Sequence, residues 1–311
     1  MKRIVRIFAA ILCVMLLMPA FGCQQQKETD PRPSVVVTIF PQYDFIRAIA
    51  GDRVRLTMLV RPGSEVHGFD PTFSEVSEIL NADLFVCVGG ESDKWTEDVL
   101  SKSDRQVRTL KLTELVDTLD EETVEGMQAE EEEPETEKDE HVWTSPKNAI
   151  RIVEGLLEAL CELLPDEADA MCKNAAEYTA ELRELDEQFR AVTEHAARST
   201  VVFAERFPFR YFCEEYGLTY YAALPGCSSN EEVSLTTIAF LIDRVREEQL
   251  PGVFYIEFSD EKTADAIVEA TGCQKWRLHS CHNVSREDFD SGVTYLDLMR
   301  GNLESLKKAV S

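Results

Sequence analysis

The sequence has few basic residues, and this shortage excludes one large class of partners. Its 311 residues contain 32 Lys and Arg against 58 Asp and Glu, which gives a formal net charge of −26 at pH 7. Proteins that bind nucleic acid neutralise phosphates with Lys and Arg, and this composition does not supply them. The same negative charge can attract cations over long distances. We therefore expect no nucleic-acid partner.

Long apolar runs are also scarce, and the clearest one stands at the N-terminus. Lys2, Arg3 and Arg6 precede an uncharged apolar run over residues 7–19, which is too short to span a bilayer. This layout is typical of a secretory signal peptide. The run leads into Ala-Phe-Gly-Cys at residues 20–23, which resembles a bacterial lipoprotein signal. We expect removal of residues 1–22, lipidation of Cys23 and a polar tether over residues 23–33; the alternative is an ordinary secreted protein.

Cysteine pairs at metal-binding spacing are missing. No two cysteines have CxxC spacing, which argues against a zinc cluster built from thiolates. Cys87, Cys161 and Cys213 lie within apolar stretches, and we expect them to be small buried residues. Cys227 and Cys281 lie in loop-like segments of the second half. Because the expected compartment is oxidising, we predict a disulfide between these two.

Much of the negative charge lies in one segment. Residues 117–140, the acidic segment, contain thirteen Asp or Glu and one Lys, with Glu at each of positions 130–133. Such a block repels itself, so we expect a mobile loop. The segment either concentrates divalent cations near a site or serves only as a spacer.

Continuous apolar strands alternate with amphipathic helices in each half of the chain. The pattern predicts eight strands, over residues 35–40, 54–60, 83–88, 107–112, 200–204, 219–224, 252–258 and 274–279. Apolar strands separated by helices indicate parallel sheets that are covered on both faces. The predicted fold is α/β, with an N-terminal lobe over residues 34–164 and a C-terminal lobe over residues 200–311.

A long helix is predicted between the two lobes. Residues 166–199 contain no Gly or Pro, and apolar residues from Met171 to Ala196 recur at spacings of three and four. This stripe predicts a helix of about 30 residues, about 45 Å long. We expect residues 165–199 to link the lobes stiffly and leave a cleft between them. A coiled-coil partner would also explain the stripe, but the single span is simpler, and we expect a monomer.

Four potential metal ligands stand near the predicted cleft. His67 lies in the loop after the second strand, and His141 directly follows the acidic segment. Glu205 and His279 stand at the ends of two strands of the second half. Ligands of open α/β sheets bind outside the carboxyl ends of the strands, and three imidazoles with one carboxylate suit tetrahedral zinc. We predict that these four residues form a metal site between the lobes.

The remaining polar candidates have other interpretations. His195 lies on the long helix, and we expect it to be structural. His282 is either a neighbour of the site or a loop residue. Glu257 is charged within an apolar strand, so it should have a partner; it either orients a histidine or forms an ion pair.

Several segments resemble the zinc and manganese substrate-binding proteins of ABC transporters. They are SVVVTIFPQYDF at 34–45, VHGFDPT at 66–72, EHVWTSPKNA at 140–149, RYFCEEYGL at 210–218 and YLDLMRGNL at 295–303. The resemblance implies two α/β lobes, a rigid linking helix and a metal buried between the lobes. His67 and His141 match the family's first two ligand positions, and His279 matches the fourth.

The third ligand position is less regular. The family has His or Glu about five residues before a Tyr-Phe pair, and this count reaches Arg206 here. Arg stays protonated and cannot bind a metal ion. A one-residue shift around Pro208 would bring Glu205 to this position, and we take Glu205 as the third ligand.

The resemblance also implies a function. Such a protein stands outside the cytoplasm, anchored to the cell membrane by lipid, and delivers Zn²⁺ to the permease and ATPase of an ABC transporter. Manganese sites are richer in oxygen, so a Mn²⁺-binding homologue is one alternative, and a metal-binding surface adhesin is another. A zinc hydrolase would need an open coordination position and a general base, and the sequence has no HExxH motif. We therefore expect no enzymatic activity.

Overall fold

Buried apolar residues form two parallel sheets in the computed structural model, which describes residues 30–66, 68–103, 105–128, 137–226 and 232–311. The first sheet has the order β2-β1-β3-β4, with β1 Ser34–Val37, β2 Arg55–Met58, β3 Leu84–Cys87 and β4 Thr109–Lys111. The second has the order β6-β5-β7-β8, with β5 Thr200–Phe207, β6 Thr219–Pro225, β7 Gly252–Tyr255 and β8 Gln274–Arg277. All eight predicted strands are present, and the prediction of two parallel α/β lobes is confirmed.

Helices cover the faces of both sheets. Those of the first half are α1 Phe40–Ala50, α2 Phe73–Asn81, α3 Trp95–Ser101 and α4 Pro146–Leu163. The long helix is α5 Ala168–Glu194, and the later helices are α6 Arg210–Tyr216, α7 Leu235–Glu247, α8 Lys262–Thr271, α9 Arg286–Ser291 and α10 Tyr295–Val310. Sequence periodicity missed α9, because six residues are too few to show a period. Among the residues that the structure describes, none of the helices is long and apolar enough to cross a membrane.

The long helix α5 packs against α1 and α4 of the first half and against the C-terminal helix α10. Its buried side chains include Met171, Leu182 and Phe189, which belong to the predicted stripe. Asp44 on α1 joins these helices, because its Oδ2 accepts hydrogen bonds from Tyr178 Oη on α5 at 3.2 Å and from Tyr295 N on α10 at 2.7 Å. Since Asp44 is buried, this contact orders three helices at one point.

The described parts of the acidic segment are packed, so the expectation of a mobile loop is wrong for residues 117–128 and 137–140. The backbone of the two arms pairs, with Glu121 N donating to Glu137 O at 2.8 Å. Gln128 N donates to Ala223 O of β6 at 3.0 Å, and the Met127 side chain is buried. Apolar residues between the carboxylates therefore attach this segment to the second lobe. Residues 129–136 lie outside the described residues.

Candidate metal centre

Three loops meet at the carboxyl ends of the strands: residues 61–66, 139–143 and 279–284. Asn283 Nδ2 donates to the carbonyl oxygens of Arg61 and Ser64, each at 2.8 Å. Trp143 Nε1 donates to Ser280 O at 2.9 Å. These bonds bring segments from both lobes to one place. His67 directly follows the first loop and lies outside the described residues.

His141 is fully buried and held by a carboxylate. Asp139 Oδ1 lies 3.2 Å from His141 Nδ1 and also accepts from His141 N at 2.8 Å. Because a carboxylate only accepts, Nδ1 carries the proton and Nε2 carries the lone pair that can bind a metal ion. Burial, the largest single effect, lowers the pKa of His141, but the charge and hydrogen bond of Asp139 together with the charges of Glu140 and Glu121 outweigh it, and the pKa is raised.

His282 lies beside His141, with 5.4 Å between the two ring centroids. Its ring also packs on Trp143 at 4.8 Å and lines a cavity of about 40 Å³ together with Glu65 and Val66. Gly226 borders the same cavity, and a Cβ atom on it would come within 3.0 Å of His141 Cε1. Of the two interpretations that the sequence allowed for His282, the structure favours a neighbour of the site.

Glu257 holds the loop that carries His282. Its Oε2 accepts from Ser280 N at 2.8 Å, and its Oε1 accepts from Ser280 Oγ. Ser280 Oγ in turn accepts from His282 N at 3.1 Å. Cys281, between them, has a φ of 61°, in the left-handed region that side chains rarely adopt. Glu257 thus positions a histidine through Ser280, as one of the two sequence-based interpretations proposed.

His279 occupies a different position. Its Nδ1 accepts from Cys281 N at 2.9 Å, so the proton of the neutral ring is on Nε2. Asn302 Oδ1 accepts from His279 N at 2.6 Å, and Asn302 Nδ2 donates to His279 O at 2.7 Å. Burial lowers the pKa of His279, and Glu257 opposes this only in part. In this arrangement Nδ1 is bonded to the backbone of its own loop and lies 3.5 Å from Glu257 Oε2, so His279 anchors its loop.

Glu205 lines a larger cleft of about 260 Å³ in the second lobe, together with Arg206 and Glu257. The Glu205 carboxylate accepts from Ser259 Oγ, and burial raises its pKa. Strand β5 contains one extra residue between Phe203 and Arg206, so the irregularity lies before Arg206 and not around Pro208. The Arg206 guanidinium reaches Glu65 Oε1 at 3.4 Å.

The structure brings the candidate ligands together only in part. Within the described ranges, no three His, Cys, Asp or Glu side chains form a group that could hold a metal ion. His141, Glu205 and His279 are all described, so they do not converge as they stand. Sequence analysis missed Asp139 because it is one of thirteen Asp and Glu residues in the acidic segment. Its position two residues before His141 was the only feature that set it apart as a partner of that ring.

The other candidates lie elsewhere. His195 is exposed at the end of α5, where its Nδ1 lies 2.9 Å from Ala191 O, so it is structural as predicted. Cys281 is buried with its thiol directed at His279 O. Cys23 and Cys227 lie outside the described residues, and the disulfide between Cys227 and Cys281 stays a prediction. Cys87 and Cys213 are buried as predicted, whereas Cys161 is only half-buried.

Two buried carboxylates, Asp93 and Glu140, lie behind the site. Asp93 Oδ2 accepts from Val88 N and Gly89 N at the end of β3, and Glu140 accepts from Ser92 N at 3.0 Å. Burial raises the pKa of Asp93 to about 6, and the charge of Glu140 contributes to the increase.

Asp93→Asn should change how stability depends on pH. The folded protein keeps a proton on Asp93 that the unfolded chain releases near pH 4, so stability should fall as pH rises from 4 to about 6. Asn retains the acceptor oxygen but cannot ionise, so the variant should lose less stability over this range. Urea unfolding at pH 4.5 and pH 7 measures the difference, with the exposed Asp98→Asn as control. Equal pH dependence of Asp93→Asn and wild type would contradict the raised pKa.

Two parallel-sheet lobes whose loops meet at a buried histidine pair define a two-lobed ligand-binding protein. The profile of the family described as zinc-uptake complex component A, periplasmic, matches residues 35–309. Since this range is most of the sequence, the chain belongs to that family. The sequence-based resemblance is thereby confirmed.

Individual proteins agree with this assignment. The zinc-binding lipoprotein AdcA of Streptococcus pneumoniae is 30% identical over 99% of this chain, which spans only 61% of the length of AdcA. The high-affinity zinc uptake system protein ZnuA of Bacillus subtilis is 27% identical over 98% of this chain and 97% of its own. The crystal structure of the Zn(II)-bound ZnuA-like domain of AdcA has a TM-score of 0.75 and 28% identity, covering 90% of this chain and 99% of the domain.

Proposed function

We propose that this protein captures zinc between its lobes and delivers it to the permease of an ATP-driven uptake complex. The observation that carries the proposal is the pair of buried rings, His141 and His282, at the junction of three loops from both lobes. Imidazole nitrogens favour zinc over manganese. The zinc-binding relatives AdcA and ZnuA support the same cargo.

We propose His67, His141 and His282 as the nitrogen ligands. Val66, the residue before His67, lines the same cavity as His282, which supports His67 as a ligand. Glu65 is a carboxylate on this cavity that can complete a tetrahedron. The competing assignment is the sequence-based set of His67, His141, Glu205 and His279.

We also propose that the protein works outside the cytoplasm, attached through lipidated Cys23. The charged and apolar pattern of residues 1–23 supports this location, and AdcA is itself described as a lipoprotein. A transport ligand needs only to be bound and released, so this function requires no catalytic residue. Mass spectrometry of the N-terminal peptide tests the anchor. An unmodified Cys23 in membrane-derived protein would contradict the proposed lipidation.

Elemental analysis of protein purified without added metal tests the function. We expect about one zinc per chain and little manganese, because nitrogen ligands disfavour manganese. Competition between the two ions for the stripped protein should favour zinc by about 100-fold or more. Preferential retention of manganese would assign the chain to the manganese alternative, and failure to bind either ion would refute the proposal.

A further inference from the structure

Helices α4 and α5 carry one cysteine each near the turn that joins them. Cys161 lies two residues before the end of α4, and Cys172 lies four residues after the start of α5. At 1.5 Å per residue, both are about 3–6 Å from the connecting turn, residues 164–167. The two helices pack closely, and a connection this short makes them antiparallel neighbours.

The side-chain directions also agree. Leu160 on α4 and Met171 on α5 are fully buried in the same apolar core, and each cysteine directly follows one of them. In an antiparallel pair, residues that follow the buried positions lie on the same edge of the interface. Cys172 is exposed and Cys161 is half-buried, so this edge faces solvent.

The two side chains are therefore neighbours on this edge, and both are free thiols. Burial and the neighbouring thiol raise the pKa of Cys161. Exposed Cys172 is therefore the thiol that meets a reagent first, and Cys161 stands within reach to attack it next.

We propose that Cys161 and Cys172 are a redox pair that forms a disulfide at the junction of the first lobe and the long helix. The oxidant is an exogenous disulfide, a small molecule or a protein. The Cys172 thiolate attacks one sulfur of that disulfide, forms a mixed disulfide and releases the first thiolate. The Cys161 thiolate then attacks Cys172 Sγ, forms the Cys161–Cys172 bond and releases the second thiolate. Both cysteine protons leave to solvent, and the two electrons reduce the exogenous disulfide to two thiols.

The other described cysteines are less suited to this reaction. Cys87, Cys213 and Cys281 are buried, so an exogenous disulfide cannot reach them without unfolding. Cys273 is half-buried on the second lobe, where its thiol donates to Gln274 O at 3.4 Å. The pair on α4 and α5 thus combines exposure with a neighbouring thiol, the combination that thiol–disulfide exchange requires.

Oxidised glutathione is the probe that tests the proposal on the purified protein. After incubation, quenching and alkylation in denaturant, we expect two fewer free thiols and a peptide that links Cys161 to Cys172. The bond closes a loop of twelve residues, so the thermal midpoint should rise by about 5 °C and return on reduction. Cys161→Ser should instead keep glutathione on Cys172, because the resolving thiol is gone.

Cys273→Ser is the matched control and should leave both the linked peptide and the midpoint shift unchanged. Cys172→Ser should abolish both, and its exposed position makes it tolerable to the fold. Three results would overturn the proposal: both thiols still alkylated after oxidation, separate glutathione adducts on the two cysteines, or dimers joined through Cys172.

Discussion

His141→Ala should weaken zinc binding by about 100-fold or more, because it removes a buried, proposed ligand that Asp139 orients. His282→Ala should cause a loss of the same order, since its ring stands beside His141. His279→Ala should change affinity by less than about tenfold, because this ring anchors a loop. Competition against a chromophoric zinc chelator measures all three dissociation constants. His195→Ala, on the exposed end of the long helix, is the control and should bind like wild type.

The opposite ranking would identify the other ligand set. If His279→Ala and Glu205→Ala each lost as much affinity as His141→Ala while His282→Ala bound normally, the sequence-based assignment would hold. Thermal unfolding of each variant without metal separates loss of a ligand from loss of the fold. The comparison is informative because His279 and His282 are only three residues apart.

Asp44→Ala should lower the free energy of unfolding by about 3 kcal/mol, because it leaves buried donors without an acceptor. The Asp44 carboxylate accepts from Tyr178 Oη, Tyr295 N and the Arg47 guanidinium, on three different helices. Urea unfolding followed by circular dichroism measures the change. Asp52→Ala, at an exposed position in the loop after α1, should stay within about 0.5 kcal/mol of wild type.

Asp44→Asn refines this test. Asn keeps one acceptor oxygen but loses the charge that pairs with Arg47, so it should fall between Ala and wild type. If Asn were as stable as wild type, the hydrogen bonds and not the charge would account for the effect. A loss below about 1 kcal/mol for Asp44→Ala would show that the three helices do not depend on this contact.

The strands and most helices could be predicted because their signals are local. The stripe from Met171 to Phe189 predicts α5 directly, and the apolar runs predict all eight strands. Loop residues follow no period, so the direction of a side chain there depends on single backbone angles. The positive φ of Cys281 decides which of His279 and His282 faces His141, and the extra residue in β5 decides where Glu205 and Arg206 point.

The acidic segment is a second case in which the sequence did not predict the local structure. The number of carboxylates predicts repulsion within the segment. It does not take account of the apolar side chains and backbone groups that lie between them. Leu119 N donates to Tyr211 Oη, Met127 is buried, and Gln128 N donates to Ala223 O of β6. A few apolar and backbone contacts therefore order the described arms in spite of their charge.

Those arms connect lobe movement to ligand geometry. The segment that ends in His141 follows the first sheet, but Tyr211 of the second lobe donates to Asp139 O at 2.6 Å, and Gln128 binds β6. Moving the lobes apart must stretch these contacts and displace Asp139, which orients His141. By thermodynamic reciprocity, if the proposed metal ion binds at His141, it favours the lobe arrangement described above by the same free energy with which that arrangement favours the metal. A membrane partner that binds the separated lobes would thus reduce metal affinity as a direct consequence of docking, and release would need no separate signal.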